Sequence, residues 1–391
     1  MTDEIFRRDG YAFEFEAEVI SSNNDLVELD ITAFYPGGGG QVCDTGTIRG
    51  TQVTEVFYKG DNIIHKVPGN DLKKGERVWC SVDWDRRYEL MKGHTGEHLL
   101  FCALKRQDPE LTITKISIAE DDNSVIVDHD PGWDAIGKAL EFANQAIRDN
   151  LTVTKSIMSR NDPELEKVRI KLDRISEDEE ISVVSIGDID LSACSGVHVM
   201  ETSELEAILV DRKVSAGKDG VAIHFKVGSK AVDSAVKLAL VSLQASDEAG
   251  SKPEDLVRWI SNTKHDLEVG KNAARSLVKD RLRDLVPNNV KGTDIFSGIF
   301  PAADRTVFAD ASESIRRKGG IAVLLSTGDT LSVILASGNP KVDCKTILGK
   351  VLTGFGGRGG GKNDFAQGGV PDTSTAESVL SKLIEEVVLS L

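Results

Sequence analysis

The chain is poor in aromatic residues. Phe, Trp and Tyr supply 5% of its 391 residues, which argues against the stacked-base platforms of general single-strand binders. Cysteine is also scarce. Cys43, Cys80, Cys102, Cys194 and Cys344 are odd in number and scattered, so a disulfide framework is not expected and a reduced, cytoplasmic protein is. No stretch approaches the roughly 18 uninterrupted apolar residues of a membrane span. Residues 1–7 lack the apolar centre of a signal peptide. Positive charge is in deficit: 47 Lys and Arg face 63 Asp and Glu, a formal net charge of -16. That balance disfavours a general nucleic-acid coat protein and suits a salt-rich cytoplasm. Two segments reverse it locally. Residues 341–364 (Lys341, Lys345, Lys350, Arg358, Lys362) and 211–230 (Arg212, Lys213, Lys218, Lys226, Lys230) each carry a surplus of positive charge, read equally well as a contact surface or a solvated face.

Hydrophobic residues make up 40%, enough for real cores, and the length predicts roughly two to four domains. Residues 1–90 alternate apolar and polar positions, as in Phe13, Phe15, Ala17 and Val19, and predict a small β-barrel interrupted by the glycine run 37–40. Residues 84–104 read as a helix weakened by Gly93 and Gly96, and 133–148 as an amphipathic helix. Strands are expected near 151–159 and 181–189, an acidic solvated turn at 177–180, and a hairpin from 205–214 and 220–227. Two helices follow within 229–285, with a weak heptad pattern broken by Lys264 and Lys271 that leaves a helical hairpin or dimer arm open. Residues 291–391 predict a separate α/β domain with a glycine-rich stretch before its last helix.

Histidine is rare too, with 7 in the chain, and two short motifs concentrate metal chemistry. The first is His94-Thr95-Gly96-Glu97-His98, the second Cys194-Ser195-Gly196-Val197-His198. On a helix, residues four apart share a face, so His94 and His98 present two imidazoles together. Cys194 and His198 on a distant loop complete a donor set that suits zinc. Ordinary core histidines are the plain alternative for one such pair and a weaker one for two. Four protein ligands also fit a purely structural zinc, since they fill a tetrahedron; an active site then needs a loose ligand, for which Cys194 is the candidate. His94 to His98 further matches the inverted zinc-protease pattern with Glu97 as base, but Cys194 and His198 are the wrong partners for that class.

The first motif, extended from Asp85-Arg86-Arg87 to Leu99-Leu100, resembles the first signature of the alanyl-tRNA synthetase editing domain, and the second motif resembles its second. Phe34-Tyr35-Pro36 followed by Gly37 to Gly40, Gln41 and Asp44-Thr45-Gly46 resembles the glycine-rich barrel motif that precedes that domain. Residues 355–369 are similar to the signature of the synthetase's C-terminal domain, shared with DHH-type phosphoesterases. The four signatures cover almost the whole chain in order, without the aminoacylation core. The chain therefore resembles the free-standing editing proteins in their long form, and no alanine activation or use of ATP is expected. The resemblance implies an α+β protein. Its parts are a β-barrel at 1–88, a zinc editing domain at 89–230, a helical connector at 231–288 and a DHH-associated tRNA-binding and oligomerisation domain at 289–391. It implies one Zn²⁺ per chain on His94, His98, Cys194 and His198. It also implies hydrolysis in trans of alanine tRNA mischarged with serine or glycine, with Thr114 and Gln41 at the substrate, Arg358 and Lys362 as tRNA contacts, and a homodimer allowed. A non-catalytic tRNA-binding protein with a structural zinc is the alternative. Val197 stands where the family carries threonine, and 202–206 depart from its usual sequence; both bear on selectivity, and the four ligand positions are intact.

Overall fold

The structure, a computed structural model, describes residues 2–170, 180–301, 303 and 305–391. The acidic turn expected at 177–180 lies outside them except for Glu180. The chain divides into two compact units, 1–245 and 246–391. Among the described residues no helix is long and apolar enough to cross a membrane.

The first unit opens with seven strands: β1 (Glu14–Asn23), β2 (Leu26–Leu29), β3 (Gly46–Ile48), β4 (Thr51–Val53), β5 (Glu55–Lys59), β6 (Asn62–Lys66) and β7 (Arg77–Val82). They pair in the order β4-β3-β7-β1-β2-β6-β5. Alternation explains the facing: Phe15, Ala17 and Val19 of β1 are buried while Glu14 and Glu16 look out. The two edge strands, β4 and β5, are joined through the single residue Thr54, so the sheet returns on itself.

Helix α1 (Trp84–Gln107) follows directly. The Asp83 carboxylate accepts the Arg86 N–H as its N-cap, and Lys105 and Arg106 sit in its last turn, favouring the negative end of the helix dipole. Residues 90–104 of α1 are all buried, so this is a central helix surrounded by protein. Beyond it lie β8 (Ile113–Ser117), β9 (Asn123–Val127), α2 (Gly132–Arg148), β10 (Val153–Met158), β11 (Ile181–Ile186), β12 (Asp190–Ala193), β13 (Ile208–Ser215) and β14 (Val221–Val227). One sheet runs β8-β9-β14-β13 and another β10-β11-β12. The two glycines that weaken α1 in isolation are there for contact. A Cβ on Gly96 would stand 2.7 Å from Val227 Cγ1, and one on Gly93 3.0 Å from Asn123 Oδ1. The helix lies closer to its sheet than any side chain permits.

A buried ion pair ties α1 to the glycine run. Arg87 and Asp44 are almost fully buried. The guanidinium also donates to Gly10 O (2.8 Å) and Ala33 O (2.6 Å), and Asp44 accepts the Tyr35 N–H (2.6 Å). The loop bearing residues 35–44 is thereby fixed against the helix that carries His94.

Helix α3 (Gly228–Ala249) runs across the division. The second unit holds α4 (Leu256–Arg283), β15 (Asn288–Val290), β16 (Thr293–Pro301), α5 (Arg305–Arg317), β17 (Ile321–Thr327), β18 (Leu331–Ser337), α6 (Cys344–Gly354), β19 (Arg358–Gly361), β20 (Phe365–Val370) and α7 (Ala376–Ser390). Its sheet order is β15-β16-β17-β18-β20-β19, with only β16 and β17 parallel, across α5. Ile321, Val323 and Leu325 pack in the core formed with α6 and α7, while Ala322 and Leu324 pack in the core formed with α5. Burial on both faces is why β17 reads as an unbroken apolar run. The glycine-rich stretch folds as the hairpin β19–β20. Glycine is required because α6 lies on it, and a Cβ on Gly368 would stand 2.4 Å from Leu352 Cδ1.

Candidate metal centre

His94 and His98 point from one face of α1, both buried. Cys194 and His198 come from the loop after β12. Ligand atoms of all four lie within 4.8 Å of one another. Cys194 Sγ is 3.4 Å from His94 Nε2 and 3.3 Å from His198 Nε2, and ring centroids of the three imidazoles are 4.4 to 5.4 Å apart. Gly196 makes the approach possible, because a Cβ there would meet His94 Cε1 at 2.2 Å.

Each imidazole is oriented through its other nitrogen. His94 Nδ1 lies 2.7 Å from Gln41 Oε1, His98 Nδ1 3.2 Å from Asp190 Oδ2, and His198 Nδ1 3.1 Å from Thr95 Oγ1. Gln41 Oε1 and Asp190 are acceptors, and the Thr95 oxygen, which already accepts the Val199 N–H (3.2 Å), takes a second proton from His198. With each Nδ1 carrying a hydrogen, the Nε2 atoms of His94 and His198 face Cys194 Sγ. That tautomer assignment is what a cation bound by three imidazoles and one thiolate requires.

The electrostatics favour a thiolate and divide the imidazoles. Burial alone would raise the Cys194 thiol, but the flanking His94 and His198 outweigh it and hold the thiol well below its ordinary value. Burial, then His94, pushes His198 down to about 3. For His98 burial acts downward, yet Asp190 and Cys194 outweigh it and raise the imidazole to about 10. Glu97 is fully buried, its Oε2 is 3.9 Å from His98 Nε2, and neither carboxylate oxygen has a hydrogen-bond partner. A thiolate and an orphaned buried carboxylate beside three imidazoles make a donor set that fits a divalent metal. Zinc is the ion these ligands suit best.

Gln41 is delivered by the glycine run. Gly37, Gly38, Gly39 and Gly40 have φ of 80°, 139°, 59° and 93°, a succession that side chains disfavour. Gly38 and Gln41 exchange backbone hydrogen bonds (3.0 and 2.9 Å), and the Ile118 N–H donates to Gly40 O (2.8 Å). The Gln41 side chain is thereby buried with Oε1 on His94 and Nε2 without a partner. Tyr35 meets Ser195; its burial and the neighbouring Cys194 raise its hydroxyl above the ordinary value.

Thr114 is not brought to this cluster. It lies on β8 with its hydroxyl against Ile126 O (3.1 Å) and Asp219 O (3.0 Å), where it ties β8 to β9 and to the turn before β14. Arg358 and Lys362 lie in the second unit, at the hairpin β19–β20. Both are exposed, and no carboxylate pairs with either among the described residues. Sequence reasoning assigned no role to Thr95 or Asp190. Thr95 sits inside the first motif, so its place was available. Asp190 needed the fold of β11 and β12 to reach His98.

Three family models match the chain: tRNA synthetases class II (A) at residues 8–86, the threonyl and alanyl tRNA synthetase second additional domain at 181–221, and the DHHA1 domain at 300–389. The chain is 30% identical over 391 residues to the alanine–tRNA ligase of Methanoregula boonei, covering 97% of this chain and 42% of that one. The alanine–tRNA ligase of Ignicoccus hospitalis is also 30% identical, over 397 residues, 98% of this chain and 43% of the ligase. The chain thus spans about two-fifths of the ligases' length. The alanyl-tRNA editing protein AlaX-L of Pyrococcus horikoshii is 28% identical over 388 residues, 95% of each chain.

Proposed function

This chain belongs to the family of alanyl-tRNA editing proteins related to alanine–tRNA ligases, and on that premise we propose that it is a zinc-dependent aminoacyl-tRNA deacylase. Its substrates are alanine tRNA mischarged with serine or glycine, hydrolysed in trans in the cytoplasm as a proofreading step of translation. The observation that carries this reading is the convergence of His94, His98, Cys194 and His198, with every imidazole Nδ1 held by an acceptor.

One zinc ion per chain would be held by those four side chains and, with Cys194 as the ligand that loosens, would supply Lewis acidity toward an ester carbonyl. The chain's own groups do the rest. Gln41 orients His94 and offers its unpartnered amide N–H as a donor to substrate. A site that hydrogen-bonds a hydroxyl discriminates strongly against an analogue that lacks one, so a serine ester gains where an alanine ester does not. Asp190 and Thr95 keep His98 and His198 in the ligating tautomer. Residues 1–88 are read as a barrel that presents Gln41, 89–230 as the editing domain, 231–288 as a connector and 289–391 as a tRNA-binding domain contacting phosphate through Arg358 and Lys362. Incubation with serine-, glycine- and alanine-charged alanine tRNA tests the reading. Serine or glycine release well above alanine release is expected; release of none of the three contradicts it.

A further inference from the structure

Beside the metal cluster lies a cavity of about 200 Å³, far more than the roughly 10–15 Å³ that one water needs. His198 lines it together with its neighbours in residues 196–200, with residues 6–11 and with Lys155 of β10. Three cations border it: Arg7, Arg8 and Lys155. Two are already committed. Arg7 pairs with Glu4 and donates to Tyr58 Oη (3.0 Å), and Arg8 holds Asp3 through two bonds of 2.6 and 2.8 Å. Lys155 differs. Its ammonium donates to Gly196 O (3.2 Å) in the ligand-bearing loop, and no carboxylate pairs with it among the described residues. An ammonium has three N–H donors, so Lys155 has two left over, at the rim of a cavity that reaches His198.

We propose that this cavity is the subsite for the nucleotide that carries the ester, and that Lys155 pairs with that nucleotide's phosphate. The inference rests on the deacylase reading above. Its logic is one of charge. In an aminoacyl ester of an RNA end the reacting carbonyl is neutral, and the nearest anionic group is the phosphate of the same nucleotide. An ester placed at the cluster through the His198 side brings that phosphate to the cavity, where Lys155 is the cation with donors to spare. Arg7 and Arg8, held by Glu4 and Asp3, shape the wall without adding free charge. Lys155 is thus a binding residue that anchors the RNA end while the cluster acts on the ester.

The test compares two substrates: serine-charged alanine tRNA, and the seryl ester of adenosine, which keeps the ester and lacks the phosphate. Lys155→Ala is expected to raise KM for the charged tRNA by roughly tenfold more than for seryl-adenosine, as loss of one charge-assisted contact implies. Lys155→Arg should restore most of the difference. Equal effects on the two substrates, or no effect on either, overturn the inference. If the wild type hydrolyses neither, the deacylase reading fails by itself, and the subsite is judged on binding of uncharged alanine tRNA. There Lys155→Ala must still weaken affinity by roughly tenfold, and unchanged affinity overturns the inference.

Discussion

Gly196 is bare because His94 fills the space where its side chain would be. Gly196→Ala is therefore expected to push apart the two halves of the cluster. Metal analysis of the purified variant should find well below the one zinc per chain expected of wild type, with circular dichroism unchanged. Asp190 acts through His98, so Asp190→Asn should weaken zinc affinity by about 10- to 100-fold in a chelator competition, the usual range for an orienting partner of a ligand. Both residues lie within or near the second motif, but only one was legible. The ligands could be read because their spacing is local: four residues apart on a helix, four apart in a loop. The Thr114 hydroxyl ties β8 to β9, a direction set by strand register, which a short gapped match does not carry. Gln41 meets His94 because the glycines at 37–40 supply a run of positive-φ conformations that other residues disfavour.

At the scale of elements, the curled N-terminal sheet and α1 are joined by Arg87 and Asp44. Removing one partner leaves the other charge buried, so Asp44→Ala should cost about 3–5 kcal/mol in a urea titration. A second element-level expectation concerns acid. His65 on β6 is fully buried, its Nε2 2.8 Å from Thr32 Oγ1 and its Nδ1 3.2 Å from Val27 O. Burial lowers it to about 4. Its folded value lies below its unfolded one, so the unfolded chain binds the extra proton between those values. The neutral form's contribution is complete above about pH 6.5 and is lost as pH falls toward about 4, a fall of about 3 kcal/mol. Denaturant midpoints measured across that window should show the loss, and His65→Gln should flatten it. Alternation made the strands readable. The contact role of Gly93 and Gly96 was hidden, because a glycine that weakens an isolated helix and one that lets it approach a sheet look alike until the sheet is present.

At the scale of the molecule, the zinc proposed for this cluster would serve either reaction or fold. The cluster sits at the edge of a continuous core that includes the curled sheet, α1 and α2, so the first unit has an apolar interior that does not depend on the ion. Chelation is expected to leave far-UV circular dichroism largely intact while abolishing ester hydrolysis. Collapse of the fold on chelation would favour a structural zinc in a non-catalytic tRNA-binding protein. The order of the signatures along the chain was legible in full. The two units divide after residue 245, within α3.

The most direct measurement is serine release from serine-charged alanine tRNA by wild type and by Cys194→Ala and His94→Ala. Rapid release by wild type, lost in both variants while they remain folded, is the result expected. No release by wild type, or equal release by all three, would contradict the assignment of this cluster as a deacylase centre.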